Sequence, residues 1–346
     1  MRYTPLARGC LTYPMPAFHK ALLLFNPVSG AHLEVRAATM RRIAGIFRRA
    51  GVEVIVEATE ARGSAGRQAK AAIAAGCDAV FACGGDGTVF EVLQGVAESA
   101  AMMGVIPLGT GNVLAHDLGL AGKPERAAAQ VLDFAPHTIS LGRIQTGGRS
   151  RFFTVAAGVG VHAELLYRAN ARAKQRGGYL AYYAHGARLL FRHAFVPFPV
   201  EITTSAGKVI ETTALELVAM RVRSFGGPLR NWRPGSSLLS TDLRLVLLRN
   251  SSRAHMLRYT LQALTGFAPY DGLDTPEADL SFVSARSVVC HTPHARAAQL
   301  RVQADGEMLG PTPTEISIIP NGLTLLIPHE AGWSRESLAA QSADPL

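Results

Sequence analysis

Gly84-Gly85-Asp86-Gly87-Thr88 follows the apolar run Ala79-Val80-Phe81-Ala82-Cys83 and precedes Val89-Phe90-Glu91-Val92-Leu93, with Val96 beyond. The apolar run reads as a buried strand, and Val89, Phe90, Val92, Leu93 and Val96 recur at helical spacing. A strand, a glycine turn and a helix N-terminus in that order form an anion-binding unit. Without Cβ atoms the backbone approaches closely, and the first helical N–H groups with the positive end of the dipole stabilise negative charge. Asp86 places a carboxylate where a cation on a phosphate needs an oxygen ligand. A bare glycine pair would read as a plain turn; the flanking strand and helix carry the phosphate reading.

Outward from this unit the chain alternates strand and helix. Residues 21–25 form an apolar strand that ends at Asn26-Pro27-Val28-Ser29-Gly30, and a helix over 33–50 sets Met40, Ile43 and Phe47 on one face. A strand over 52–56, a helix over 64–75 and a strand over 104–106 follow, the last ending at Pro107-Leu108-Gly109-Thr110-Gly111-Asn112. This alternation implies right-handed βαβ units on a parallel, Rossmann-like sheet. The glycine-rich turns fall at strand C-terminal ends, where open α/β sheets bind ligands. After about Ser140 the texture changes to β-type runs at 151–157, 200–204, 215–222, 243–248, 287–290, 299–303, 315–319 and 323–327, interrupted by a helical region over 163–192. The expected fold is an α/β nucleotide-binding domain followed by a β-rich sandwich, with a cleft between them as the default site. The expected boundaries are a disordered extension over 1–17, the α/β domain over 18–140, the β domain over 141–328, and a tail over 329–346 able to pack back on the first domain.

Composition agrees with two packed domains. Of 346 residues, 48% are hydrophobic and 18% charged, which excludes a disordered chain. The net charge of +9 favours an anionic partner: a nucleotide, a nucleic acid or an acidic lipid surface. Four cysteines, with no CxxC pair and no zinc-like spacing, suit a reducing compartment. No apolar run approaches a membrane span, and residues 1–18, broken by Pro5, Pro14 and Pro16, lack the apolar region of a signal peptide. There is no GxxxxGK[ST] loop, HExxH motif or convincing GxSxG elbow. Gly158-Val159-Gly160-Val161-His162-Ala163 fits GxGxxA, but no acid lies between Glu164 and Glu201 to hold a ribose, so it reads as a turn packing a helix onto a strand.

Taken together, Asn26-Pro27-Val28-Ser29-Gly30, Gly84-Gly85-Asp86-Gly87-Thr88-Val89-Phe90-Glu91 and Pro107-Leu108-Gly109-Thr110-Gly111-Asn112 resemble the diacylglycerol kinase catalytic-domain family, which includes sphingosine, ceramide and bacterial lipid kinases. The likeness extends through 153–160, Gly177-Gly178-Tyr179-Leu180, Phe225-Gly226-Gly227 and Asp305-Gly306-Glu307, from Lys20 to about Pro328. The glycine stretch alone is shared with NAD kinases and phosphofructokinases. The resemblance implies an ATP- and Mg2+-dependent kinase acting on a hydroxyl of diacylglycerol, a sphingoid base or ceramide. ATP would lie across the strand ends, touching Asn26, Pro27, Val28, Ser29, Gly30 and Thr59. Gly84, Gly85, Asp86, Gly87, Thr88, Val89, Phe90 and Glu91 would form the phosphate stretch, with Asp86 near magnesium and Thr110 and Asn112 in the neighbouring loop. Thr59 also reads as a helix N-cap.

Phosphoryl transfer needs positioning, charge neutralisation and a base for the acceptor hydroxyl. Asp305 and Glu307, on a turn between apolar strands of the second domain, are the candidates. Two apart on extended backbone they would point the same way, one taking the proton while its neighbour orients it; the sequence leaves open which is which. An ordinary solvated Asp-Gly turn is the competing reading. Many relatives carry an acidic, metal-binding turn where this chain has Leu239-Ser240-Thr241-Asp242-Leu243-Arg244, with one acid and an arginine. Such a site at Asp242 would be weak. Val113 and Phe90 also depart from the common Asp and Asn.

Between Leu165 and Val200 there is no acid, while Arg168, Arg172, Lys174, Arg176, Arg188 and Arg192 interleave with Tyr179, Tyr182, Tyr183 and Phe191. That stretch suits peripheral contact with an anionic membrane or, equally, core packing. No nucleic-acid motif accompanies it. The expectation is a cytoplasmic, peripherally membrane-associated lipid kinase, with homodimerisation open. The alternatives are NAD kinase-like transfer to a soluble acceptor and an inactive nucleotide- or lipid-binding regulator.

Overall fold

A computed structural model describes residues 16–27, 33–120, 122–160, 163, 196–225, 235–249, 280–293 and 300–329. Val28-Ser29-Gly30, the basic stretch with Gly177–Leu180, Gly226-Gly227, most of the N-terminal extension and the tail after residue 329 lie outside them.

The first unit is built as its periodicity predicts. Strands β1 (Lys20–Phe25), β2 (Glu53–Ala58), β3 (Ala79–Gly84) and β4 (Met102–Pro107) pair in parallel in the order β2-β1-β3-β4. Helices α1 (Leu33–Arg49), α2 (Ala65–Ala74) and α3 (Asp86–Val96) form the crossovers. β3 is buried along its whole length, the signature of a central parallel strand covered on both faces. Its Phe81 stacks against Phe47 of α1 and against Phe18, with ring centroids 4.8 and 5.1 Å away. Burying such a ring contributes roughly 1.5–3 kcal/mol. The partner of Phe81 on β4 is Gly104, where a Cβ would sit 2.2 Å from the ring. β2, at the edge, leaves Ile55 and Val56 partly exposed. Two short helices, α4 (Val113–Asp117) and α5 (Pro124–Gln130), follow β4.

The expected boundary at residue 140 falls inside a strand. β5 (Ala135–Thr146) pairs antiparallel with β15 (Thr314–Ile327) from end to end, with one shift between Ile319 and Leu323. Leu325 and Thr324 of β15 also pair in parallel with β4, while the other half of β15 pairs with β12 (Leu280–Cys290). Through this ribbon the strands of both units belong to one continuous sheet, with β15 lying between β12 and β4. The two runs expected at 315–319 and 323–327 are one strand.

The second unit is β-rich. The remaining strands are β6 (Arg149–Phe153), β7 (Ala156–Gly160), β8 (Phe198–Thr204), β9 (Val209–Ala214), β10 (Glu216–Met220), β11 (Leu243–Leu248), β13 (Arg301–Ala304) and β14 (Glu307–Pro311). Their order is β14-β13-β7-β10-β11-β12, with β8 beside β12, β9 beside β8 and β6 beside β5. Phe153, Phe198, Leu217, Leu245 and Leu247 form its core. The run expected over 151–157 is broken at Thr154 and Val155, whose N–H groups leave the ladder for a carboxylate described below. Gly158 and Gly160 belong to β7 rather than to a turn; Gly160 has φ +109°, and a Cβ there would lie 2.7 Å from the Leu215 carbonyl. Met220, Val222, Leu238 and Phe282 of the second unit join the core of the first, so the two meet through buried apolar surface.

Candidate active site where the two units meet

The glycine stretch turns the chain from β3 into α3. Gly84 ends the strand, and a Cβ on it would stand 2.3 Å from Thr88 Oγ1, so the first helical turn folds directly over it. Gly85 is the N-cap residue and no side chain caps the helix. An eleven-residue helix thus presents its N-terminal amide groups at a strand C-terminal end, the arrangement that favours an anion.

The Pro107–Asn112 loop packs against this turn backbone to backbone. The Leu108 N–H donates to Gly84 O at 2.9 Å, and a Cβ on Gly109 would come within 2.6 Å of Gly85 Cα. Asn112, at φ +52°, accepts from the Gly109 N–H at 3.2 Å and donates to Gly109 O at 2.7 Å. Its amide therefore shapes the loop, while Thr110 is exposed. The Val113 N–H donates to Asp86 Oδ1 at 2.7 Å, tying the second loop to the first. Buried Arg36 of α1 donates from both terminal nitrogens to Leu108 O. Asn26 and Pro27 stand half-buried at the end of β1, and the Thr59 N–H donates to Phe25 O at 2.8 Å beside them. The strand ends thus bring Asn26, Pro27, Thr59, the glycine turn and Thr110 to one edge.

Thr59 is not the helix cap. α2 starts at Ala65, its N-cap residue is Ser64, and Glu91 of α3 accepts from the Gly63 and Ala65 N–H groups at 2.8 and 3.4 Å. That carboxylate serves the start of α2 through the contact face of the two helices. They touch at Gly66 and Gly95, where a Cβ on Gly95 would lie 2.2 Å from Gly66 O.

Asp305-Gly306 is a two-residue hairpin turn between β13 and β14, with φ of +46° and +84°. Positive φ at both central residues matches the twist of flanking antiparallel strands, and Asp-Gly suits it. The alternation rule of extended backbone therefore fails here, and Asp305 and Glu307 do not point the same way. Asp305 Oδ1 accepts from the Val155 and Ala156 N–H groups at 2.9 and 3.0 Å; Oδ2 accepts from the Thr154 N–H at 2.9 Å and Thr154 Oγ1 at 3.3 Å. Burial lifts its pKa to about 6 against those donors, and the charge of Asp86 pushes in the same upward direction. Burial also raises Asp86, opposed by the N–H groups of Val113, Asn112 and Asp86 itself.

Glu307 stands over the first turn of α3. A Cβ on Gly87 would lie 3.3 Å from Glu307 Oε1, and Arg62 Nη2 meets Oε2 at 2.8 Å. Arg62 escaped the sequence reading because nothing local marks an arginine in a loop as the partner of a residue 245 positions away. Beside Glu307 opens a cleft of about 510 Å3 between the units. Phe90, Met308 and Leu309 form part of its wall, with Arg62, Arg67, Lys70, Arg149 and Arg151 among the residues lining it. Gln94 was also missed: it donates to Phe152 O at 2.9 Å and accepts from the Phe152 N–H at 3.0 Å, joining α3 to β6.

Among the described residues no group of three or more His, Cys, Asp or Glu could hold a metal ion by itself. Asp86 still fits a cation carried by a nucleotide, since phosphates supply most ligands of such an ion. The groups around Asp242 are engaged otherwise: its carboxylate accepts from Ser205 Oγ at 2.9 Å, and its carbonyl accepts from Arg221. No helix among the described residues is long and apolar enough to cross a membrane.

Comparison with known proteins agrees over both units. The family model for the diacylglycerol kinase catalytic domain matches residues 20–144, and that for the YegS C-terminal NAD kinase beta sandwich-like domain matches 154–327. A diacylglycerol kinase of Mycobacterium tuberculosis is 33% identical over 312 residues, 90% of this chain and 96% of that protein. One from Bacillus subtilis is 28% identical over 314 residues, 90% and 97% of the two chains. The crystal structure of a putative diacylglycerol kinase from Bacillus anthracis shares the fold at a TM-score of 0.69 and 21% identity, covering 90% of this chain and 97% of that one. Matched in both units and along nearly the whole of such relatives, the chain belongs to the diacylglycerol kinase family of lipid kinases.

Proposed function

We propose that the chain transfers the γ-phosphoryl group of ATP to a hydroxyl of diacylglycerol or a related lipid such as a sphingoid base or ceramide. The observation that carries this reading is Glu307 standing over Gly87, at the helix N-terminus built to receive phosphate. ATP would lie along the strand ends beside Asn26, Pro27, Thr59 and Thr110. Its phosphates would rest on the N–H groups of Gly84–Thr88. Asp86 would supply a carboxylate oxygen to Mg2+, which neutralises phosphate charge.

The acceptor hydroxyl would approach from the cleft side, its lipid part along Phe90, Met308 and Leu309. Its oxygen attacks the γ-phosphorus, the bond from that phosphorus to the bridging β–γ oxygen breaks, and ADP departs. Glu307 takes the hydroxyl proton as general base, oriented by Arg62. Asp305 is a poorer base, because all its hydrogen bonds come from donors fixed in the protein. It positions the hairpin that carries Glu307.

The basic stretch around Arg172, Lys174 and Arg176 would rest on the cytoplasmic face of an anionic leaflet. Neutralising those three residues should weaken vesicle binding, and salt should weaken it in the wild type; unchanged binding in both cases would place the contact elsewhere. The cationic lining of the cleft also suits a soluble phosphate-bearing acceptor. The test of the main reading is labelled ATP offered with diacylglycerol, a sphingoid base, ceramide or NAD. Transfer to a lipid supports the proposal; transfer to NAD alone, or to nothing while ATP still binds, overturns it.

A further inference from the structure

Arg221, just after β10, is 1% exposed. One terminal nitrogen donates to Ser240 O at 2.9 Å and Asp242 O at 2.6 Å; the other donates to Ser140 O and Leu238 O, both at 2.8 Å. Four main-chain carbonyls from β5 and from the turn before β11 therefore converge on one guanidinium. Its Nε–H has no partner among the described residues. Burial draws the Arg221 pKa down to about 10, opposed by the charge of Asp242, so the group is cationic at neutral pH.

Carbonyl oxygens gathered from a turn beside a carboxylate are the ligand chemistry of a hard divalent cation, which needs six or more oxygens. Here that chemistry is already satisfied. The carbonyls are directed at a guanidinium, the Asp242 carboxylate accepts from Ser205, and Arg244 lies two residues away in sequence. A divalent ion would lose its ligands and meet positive charge. We propose that Arg221 is the resident cation of this turn, replacing the metal that the family resemblance leads one to expect, so that the second unit is held without a divalent ion. The arrangement extends to the active-site floor, because the Arg221 N–H donates to Val155 O at 2.9 Å and the Val155 N–H holds Asp305.

The test uses the full-length, nucleotide-free protein and reads melting temperature, so it is independent of the kinase reading. EDTA, Mg2+, Ca2+ and Mn2+ should leave the wild-type melting temperature unchanged, and elemental analysis should find no stoichiometric divalent metal. Arg221→Met should melt several degrees lower, because it removes the charge and leaves carbonyls unpartnered. Arg221→Lys should recover part of the loss. A wild-type melting temperature that falls with EDTA or rises with Ca2+ overturns the proposal. So does one bound equivalent of metal that Asp242→Asn removes, or an Arg221→Met variant as stable as the wild type. If Arg221→Met fails to fold, the wild-type chelation and metal analyses decide alone.

Discussion

Asp305→Asn and Glu307→Gln should separate stability from chemistry at two residues of one hairpin. An amide at 305 keeps one oxygen for the Val155 and Ala156 N–H groups, but its NH2 faces the Thr154 N–H. An orphaned buried donor costs roughly 1–3 kcal/mol, partly offset by removing a charge that burial disfavours. A loss of about 1–2 kcal/mol corresponds to a melting temperature roughly 2–8 °C lower at 2–4 °C per kcal/mol. At 307 the partner Arg62 is 82% exposed, so removing this ion pair should cost only about 0–1 kcal/mol. Turnover in Glu307→Gln should instead fall about 10²–10⁴-fold, the usual contribution of a general base. Differential scanning fluorimetry and a labelled-ATP assay on lipid vesicles measure the two effects. With Asp305 titrating at about 6, wild-type turnover should also decline as pH falls through that value and the carboxylate stops accepting from all four donors. That limb should persist in the residual activity of Glu307→Gln and disappear in Asp305→Asn. The reasoning is refuted by the opposite pattern: Glu307→Gln near full turnover, with Asp305→Asn losing turnover at an unchanged melting temperature.

Asp86→Asn should stay folded, since an amide oxygen can still accept from Val113, yet lose roughly 10²-fold or more in turnover as phosphate charge goes unneutralised; full activity in the folded variant would make the motif a mere turn. Gly109→Ala should force apart the two glycine loops, costing about 1–3 kcal/mol and weakening ATP binding more than vesicle binding; equal loss of both would indicate misfolding. Asp117 on α4 accepts from the Arg223 N–H and Nε at 3.2 and 3.4 Å, and burial lifts its pKa to about 6 against the charge and hydrogen bonds of Arg223 and the Ser224 N–H. The folded state then holds this proton more tightly than the unfolded chain, so the contribution of Asp117 to stability is greatest below the unfolded pKa of 3.8 and declines as pH rises through about 6. At 1.36 kcal/mol per unit the swing is about 3 kcal/mol. Asp117→Asn removes it, so the melting temperature of the variant should gain on the wild type between pH 4 and 7; a constant difference would place the titration elsewhere.

The alternation from β1 to β4 was legible because each strand is a short apolar run and each helix repeats its apolar face, both local signals. The failures are non-local. The run over 151–157 reads as one strand until Thr154 and Val155 give their N–H groups to a carboxylate 150 residues away. Glu91 sits within the phosphate motif, yet its carboxylate caps the neighbouring helix, which depends on the Gly66–Gly95 contact. Arg221 ends an apolar strand where an arginine ordinarily reads as solvated, and only the converging turn reveals its use. Asp305-Gly306-Glu307 was found as a motif and as a turn between apolar strands, which it is; only the inference that its two acids point the same way fails, because positive φ at Asp305 and Gly306 breaks the alternation of extended backbone.

The two halves of the site arrive from different units, so what fixes their separation determines whether Glu307 can reach a phosphoryl group. A single hinge would leave that distance loose. Instead β15, paired with β5, lies between β4 of the first unit and β12 of the second in one continuous sheet. Gln94 adds two hydrogen bonds from α3, the helix whose N-terminus faces Glu307, to β6. Buried Met220, Val222, Leu238 and Phe282 carry the first core into the second unit. Packed cores deform little without losing contacts, and a ladder resists shear because a one-residue slip reverses every side chain. Glu307 and the glycine turn are thus set in one hydrogen-bonded frame. Its adjustable parts are long exposed side chains such as Arg62, which line the cleft beside Glu307.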